Sequence, residues 1–117
     1  MPQLAALESG LSRPSELYTT SALLLLAIRE RLKDMHRSRL PLGILVDEVF
    51  YRDMRERYGA GIYDVSLTPD GHVKSSDLAD DLRLLIATGD LTIVKGKEGP
   101  EVELTSAGWS HSESLNP

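Results

Sequence analysis

Apolar positions along the chain fall into helical periods first and alternating ones later. Leu25, Ile28, Leu32 and Met35 recur at helical spacing, and Thr20 or Ser21 ahead of them offers a hydroxyl to the free amides of a first turn. Leu23, Leu24 and Leu26 lie on other faces, so this helix is apolar around most of its first two turns. Such a pattern predicts burial on two sides, by the rest of the domain and by a second surface. Ser38-Arg39-Leu40-Pro41 breaks the helix, and Pro41 suits the start of the next one. From there Leu42, Leu45, Val46, Val49, Phe50, Met54 and Tyr58 recur every three or four residues. The spacing predicts a second helix of about 17 residues, roughly 26 Å long, stopped by Gly59-Ala60-Gly61.

The period then shortens. Tyr63, Val65 and Leu67 alternate with Asp64 and Ser66, which predicts a half-buried strand, and Thr68-Pro69-Asp70-Gly71 predicts a turn. A third helix starts near Ser75 or Ser76, carries an apolar face of Leu78, Leu82, Leu85 and Ile86, and stops at Gly89. Leu91 to Val94 and Glu101 to Leu104 read as a hairpin around the loop 95–100. Thr105 caps a brief last turn containing Trp109. Residues 1–19, with one expected helical turn from Pro14 to Tyr18, read as an N-terminal arm, 20–109 as the domain and 110–117 as a flexible tail. The expected core comprises Leu25, Ile28, Leu32, Leu45 and Val49 from the first two helices. Leu82, Leu85, Ile86, Ile93 and Val102 complete it from the second half.

Composition narrows the class. The chain has 117 residues, 41% hydrophobic and 26% charged, which fits one globular domain rather than wholesale disorder. Without cysteine it forms no disulfide framework, thiolate nucleophile or cysteine-bearing zinc site. The start lacks a basic, apolar signal sequence, and the longest apolar run, Ala22 to Ile28, is far short of the ~20 residues a membrane helix needs. The expectation is a cytoplasmic protein that does not enter membranes. The formal net charge of -5 is unevenly placed. Residues 29–58 carry eight Lys/Arg against six acids, whereas residues 59–117 carry four against ten. Any anion-binding surface is therefore expected from the first half or from a local loop.

The leucine-rich helix from Ser75, the run Ala87-Thr88-Gly89-Asp90-Leu91, the hairpin, and the exit Glu103-Leu104-Thr105-Ser106-Ala107-Gly108 together resemble the winged helix-turn-helix superfamily. The resemblance covers about a third of the chain well and the first two helices loosely. It implies an α+β fold: a three-helix winged-helix domain with a C-terminal β-hairpin wing, here with an extra short strand before the third helix. Family members mostly bind duplex DNA, with the third helix in the major groove and the wing on the backbone or minor groove. In this chain Asp77, Asp80 and Asp81 outnumber the single Arg83 on that helix, and carboxylates facing phosphates repel.

Two readings of function follow. The first is a non-enzymatic regulatory module acting through protein–protein contacts. It would form a homodimer through Leu23, Leu24 and Leu26 and offer Asp77, Asp80 and Asp81 to a basic partner. The alternative is a DNA-binding regulator that contacts phosphates with wing residues Lys95 and Lys97 and with Arg37, Arg39 and Arg55. A cluster of Arg29, Arg31, Lys33, Arg37 and Arg39 at a helix end also complements the helix dipole without any ligand. His36, His72 and His111 have no neighbours at metal-binding spacing, no nucleophile motif is present, and no cofactor is expected. Asp77, Asp80 and Asp81, at i, i+3 and i+4, could share a cation only with further oxygen ligands from elsewhere.

Overall fold

In the computed structural model, residues 19–59 and 63–115 are described; the arm, apart from Thr19, lies outside them, as does its expected turn. Thr19, one residue ahead of the expected caps, opens α1 (Thr20–Met35) by accepting the Ala22 amide at 3.2 Å. His36 closes it in the left-handed conformation, φ 52° and ψ 46°. The amides of His36 and Arg37 return to the Lys33 and Leu32 carbonyls at 3.2 and 3.0 Å, a Schellman closure usually made by glycine. The helix thus stops before Ser38, and the chain emerges as a short strand, β1 (Arg39–Pro41). Three residues are too few to show a period, so periodicity gave no sign of this strand.

Helix α2 is a continuous run of three segments. Leu42–Ile44 and Arg55–Tyr58 are α-helical, and Leu45–Met54 between them is a π-helix, in which each amide bonds one residue further back. The wider winding selects which side chains face inward. Leu45, Val49, Phe50 and Met54 are buried at steps of four and five, while Leu42, Val46 and Tyr58 are only partly covered. Gly59, at φ 103°, ends the helix in a conformation that side-chain-bearing residues rarely adopt.

The expected strand at 63–67 shrinks to β2 (Ser66–Leu67), paired with β3 (Val73–Lys74) around the Thr68–His72 turn. Tyr63 is buried instead, its ring 5.1 Å from that of Phe50. Ser75 caps α3 (Ser76–Ala87) by accepting the Leu78 amide at 3.2 Å. Strands β4 (Leu91–Gly96) and β5 (Gly99–Leu104) form the expected hairpin, longer by two residues per strand at the tip, with Gly96 opposite Gly99. The other edge of β5 pairs with β1, giving a three-stranded antiparallel sheet in the order β1-β5-β4. Chain reversal at 97–98 and the β1 pairing bring residues 37–41 beside the hairpin.

Residues 106–115 form α4 (Ser106–Leu115), so the segment expected to be a flexible tail from Ser110 is helical to Leu115; 116–117 lie outside the described residues. Thr105 caps it as expected, accepting the Gly108 amide at 2.9 Å. Its buried residues are Gly108 and Ser112, small side chains at i and i+4 that let it pack closely. Helices α2, α3 and α4 all pack on α1, and every residue from Ser21 to Ile28 is buried. Leu23, Leu24 and Leu26 are therefore 1%, 0% and 8% exposed within a single chain. Their cover comes from the helices of the same chain that pack on α1, so these three side chains are not exposed to a partner as expected.

The expected core is correct for Leu25, Ile28, Leu32, Leu45, Val49, Leu85 and Val102, and Leu82 packs partly against it. Ile86 and Ile93 are corrections, at 41% and 44% exposed. Ile93 lies in register with the buried Val102 and Leu40, but on the outer strand and nearer the hairpin tip than Leu91, which the core covers. The architecture is α+β, with four helices, the three-stranded sheet and the separate two-stranded one among the described residues. None of these helices is long and apolar enough to cross a membrane.

Candidate anion-binding groove

The β1–β5 pairing sets Arg39 opposite Glu103 and Pro41 opposite Glu101, so the start of β1 runs alongside the hairpin. Between the two lies an open groove of about 890 Å³. Arg37 and Arg39 stand on one wall, and Lys95 and Lys97 on the other. Four of the five cations singled out as phosphate contacts, from segments more than fifty residues apart, thus line one cleft. Arg55 does not join them: its guanidinium stacks over the Tyr51 ring, 4.5 Å from the centroid, on the outer side of α2.

All four side chains are exposed, so none carries the cost of burying a charge. Arg39 forms a 3.5 Å ion pair with Glu103 that, at the surface, contributes little. Arg37, Lys95 and Lys97 make no side-chain ion pair among the described residues. Glu98 and Glu101 also line the groove, leaving it formally positive by two charges, four cations against two carboxylates. Its floor is apolar, formed by Pro41, Leu42, Val46 and Pro100. Sequence periodicity assigned Leu42 and Val46 to the buried face of an α-helix; the π-helical winding that turns Val46 aside left no simple periodic signal.

The rest of the Arg29–Arg39 cluster serves other purposes. Arg31 bridges Glu48 at 2.8 Å and Asp53 at 2.6 Å, tying α1 to α2. Donation to the Asp53 carboxylate holds its guanidinium more firmly protonated than usual. Arg29 is largely buried, its Nη1 3.9 Å from Glu30 Oε2, and Nε and Nη1 have no hydrogen-bond partner among the described residues.

The acidic residues of α3 are engaged one by one: Asp77 and Asp81 face residues 63–64, and Asp80 points elsewhere. Asp81 turns inward, accepting from Thr20 Oγ1 at 2.6 Å and from the buried Tyr63 hydroxyl. Burial, reinforced by that carboxylate, pushes the Tyr63 hydroxyl well above its ordinary range. Asp77 accepts the Asp64 amide at 2.8 Å, and Asp80 pairs with Arg83 at 2.8 Å. Each carboxylate has its own partner, and no group of three acids or histidines among the described residues is arranged to hold a metal. Asp81 in particular is a structural anchor between α1 and α3, not a contact for a basic partner. Toward solvent α3 instead presents Leu84, 48% exposed, and Ile86.

The histidines are equally dispersed. His36 is the α1 closure, His72 faces Asp70 at 3.4 Å in an exposed turn, and His111 Nδ1 lies 3.1 Å from the buried Asp90 carboxylate. No family model, curated protein or solved structure matches this chain.

Proposed function

We propose that this chain is a non-enzymatic regulator of the winged-helix type that holds duplex DNA by its phosphates, with the hairpin as its wing. The observation that carries this reading is the convergence of Arg37, Arg39, Lys95 and Lys97 on one groove. The hairpin following the third helix, and the Leu104-Thr105-x-x-Gly108 exit into α4, support the winged assignment. The outward surface of α3, an Asp80–Arg83 pair beside Leu84, has little to offer guanine or phosphate. Phosphate contacts orient a protein on DNA without reading sequence, so this surface favours weak sequence preference.

Three to four neutralised phosphates give a slope of about -3 in log affinity against log salt. Anisotropy of a labelled duplex, titrated between about 50 and 200 mM salt, measures it. The expected result is that steep loss of binding, together with near-abolition by Lys95→Glu plus Lys97→Glu. Absence of binding at low salt would dismiss the reading. Exposed Leu84, Ile86 and Ile93 favour a second reading, a module that acts through a protein partner. Under it, Leu84→Ser abolishes complex formation in the native cell while Lys95→Glu leaves it intact.

A further inference from the structure

A phosphate backbone would use the walls of the groove and leave its floor idle. Pro41, Leu42, Val46 and Pro100 present apolar surface between the cations, and this surface is not required by contact with a sugar–phosphate chain. The groove is partly covered, since a Cβ built on Gly96 would lie within 3.0 Å of the Glu101 side chain, and open at two other glycines. A Cβ built on Gly43, in the first turn of α2, meets nothing within 4 Å, and neither does one on Gly99 across the groove. The volume, about 890 Å³, lies within the range of small-molecule sites, and the lining is mixed, with apolar residues beside six charged ones.

We infer that the groove binds a soluble amphipathic organic anion, a carboxylate or phosphate monoester bearing an alkyl or aryl body. Its head sits against the groove's cations, and its body covers Leu42 and Val46. The inference rests on the anion-holding reading of the same walls and adds regulation: such a ligand competes with DNA for the shared cations. Charge complementarity sets the head group. Arg37, Lys95 and Lys97 are free of ion pairs among the described residues, and an ionised head gives each a charge-assisted partner. The apolar floor sets the body, because each methylene removed from water strengthens binding about fourfold. Glu98 and Glu101 line the same space and disfavour a second negative charge far from the head.

The test uses the full chain with anilinonaphthalene sulfonate, a fluorescent aromatic anion, as the reporter. Decyl phosphate, kept below its micelle-forming concentration, should displace it, and hexyl phosphate should do so at least about tenfold less tightly. Inorganic phosphate should be the weakest competitor. In amide spectra the shifts on binding should centre on Gly43, Gly96 and Gly99, which line the groove.

Gly43→Leu supplies a variant whose folding is secure. The position is exposed, helical, open to a side chain and improved in helix propensity, yet the added leucine occupies the floor. It should reduce decyl phosphate affinity by about tenfold or more. Arg37→Glu with Lys97→Glu should abolish binding of both ligands. Equal affinity for hexyl and decyl phosphate, shifts centred away from the three glycines, or undiminished binding by Gly43→Leu would each overturn the inference. Binding to vesicles of phosphatidylglycerol without binding monomeric decyl phosphate would also overturn it, in favour of a membrane surface. Duplex binding without decyl phosphate binding refutes this inference alone; the converse refutes the DNA reading alone.

Discussion

Replacing Gly108 by alanine adds one methyl group at the point where α4 meets the start of β4. That Cβ would lie inside 3.0 Å of the Asp90 carbonyl oxygen, and at 3.0 and 3.2 Å from the Asp90 carbonyl carbon and Leu104 Cδ2. Backbone cannot swing aside like the end of a long side chain, so α4 must lift. Three links cross the same junction: Thr105 N–H to the Asp90 carbonyl at 3.1 Å, Thr105 Oγ1 to the Gly89 carbonyl at 2.5 Å, and His111 Nδ1 to the Asp90 carboxylate at 3.1 Å. Helix propensity alone favours alanine by about 1 kcal/mol. Overpacking costs roughly 1–3 kcal/mol, and weakening two neutral hydrogen bonds costs about 1 kcal/mol each. The balance is a loss of about 2–4 kcal/mol, or roughly 10–20 °C in Tm for a domain of this size. Urea unfolding followed by circular dichroism measures it, with an unchanged m-value as the sign of intact two-state behaviour. Ala107→Gly, at an exposed neighbouring position, serves as the control and should cost only about 1 kcal/mol. If Gly108→Ala proves as stable as the parent, or more so, the close approach of α4 to Asp90 is wrong.

Three further outcomes are expected. His36→Gly should stabilise the protein by about 0.5–1 kcal/mol, because the left-handed closure of α1 costs a side-chain-bearing residue ~1–2 kcal/mol and glycine's extra chain entropy offsets only part of the gain; chemical denaturation checks it, and a loss would exclude that closure. Leu24→Ala should cost about 2–5 kcal/mol with an unfolding midpoint independent of concentration, since Leu24 is fully buried inside one chain; a midpoint that rises with concentration would return this helix to an intermolecular interface. Tyr63 holds its proton in the fold above the pH at which the unfolded chain releases it, so its contribution is complete below pH ~10 and is lost as pH rises beyond that. Tyr63→Phe should therefore flatten the fall in stability above pH ~10, with half-buried Tyr58 left as a second, smaller source; an unchanged slope would exclude a buried, raised tyrosine at 63.

Some of this protein was legible in residue order. Helices α1 and α3, the hairpin and the Thr105 cap follow from short-range rules: hydroxyls that cap, glycines that permit positive φ, and periods that repeat over several turns. Four of the five proposed phosphate contacts were also visible as residue types, because exposed arginines and lysines at helix ends and hairpin tips carry a local signal. Their meeting was not visible. The first-half arginines and the hairpin lysines come to line one groove through the pairing of a three-residue strand, β1, with β5, and a strand that short has no period to detect. The π-helical winding of Leu45–Met54 likewise decides that Val46 faces the groove, since backbone hydrogen-bond register is a choice that side-chain spacing of three or four does not report.

The leucines of α1 mark the same boundary most clearly. Their order alone determined that this helix needed cover on more than one side. What supplied that cover was decided in three dimensions, by α2, α3 and α4 together, the last with an inward face of Gly108 and Ser112 that contributes close approach rather than apolar bulk. Hydrophobic patterning registers residues that leave water because they are greasy. It is silent about residues buried because they are small, and about charges gathered by strand pairing, and those two silences hid α4 and the groove.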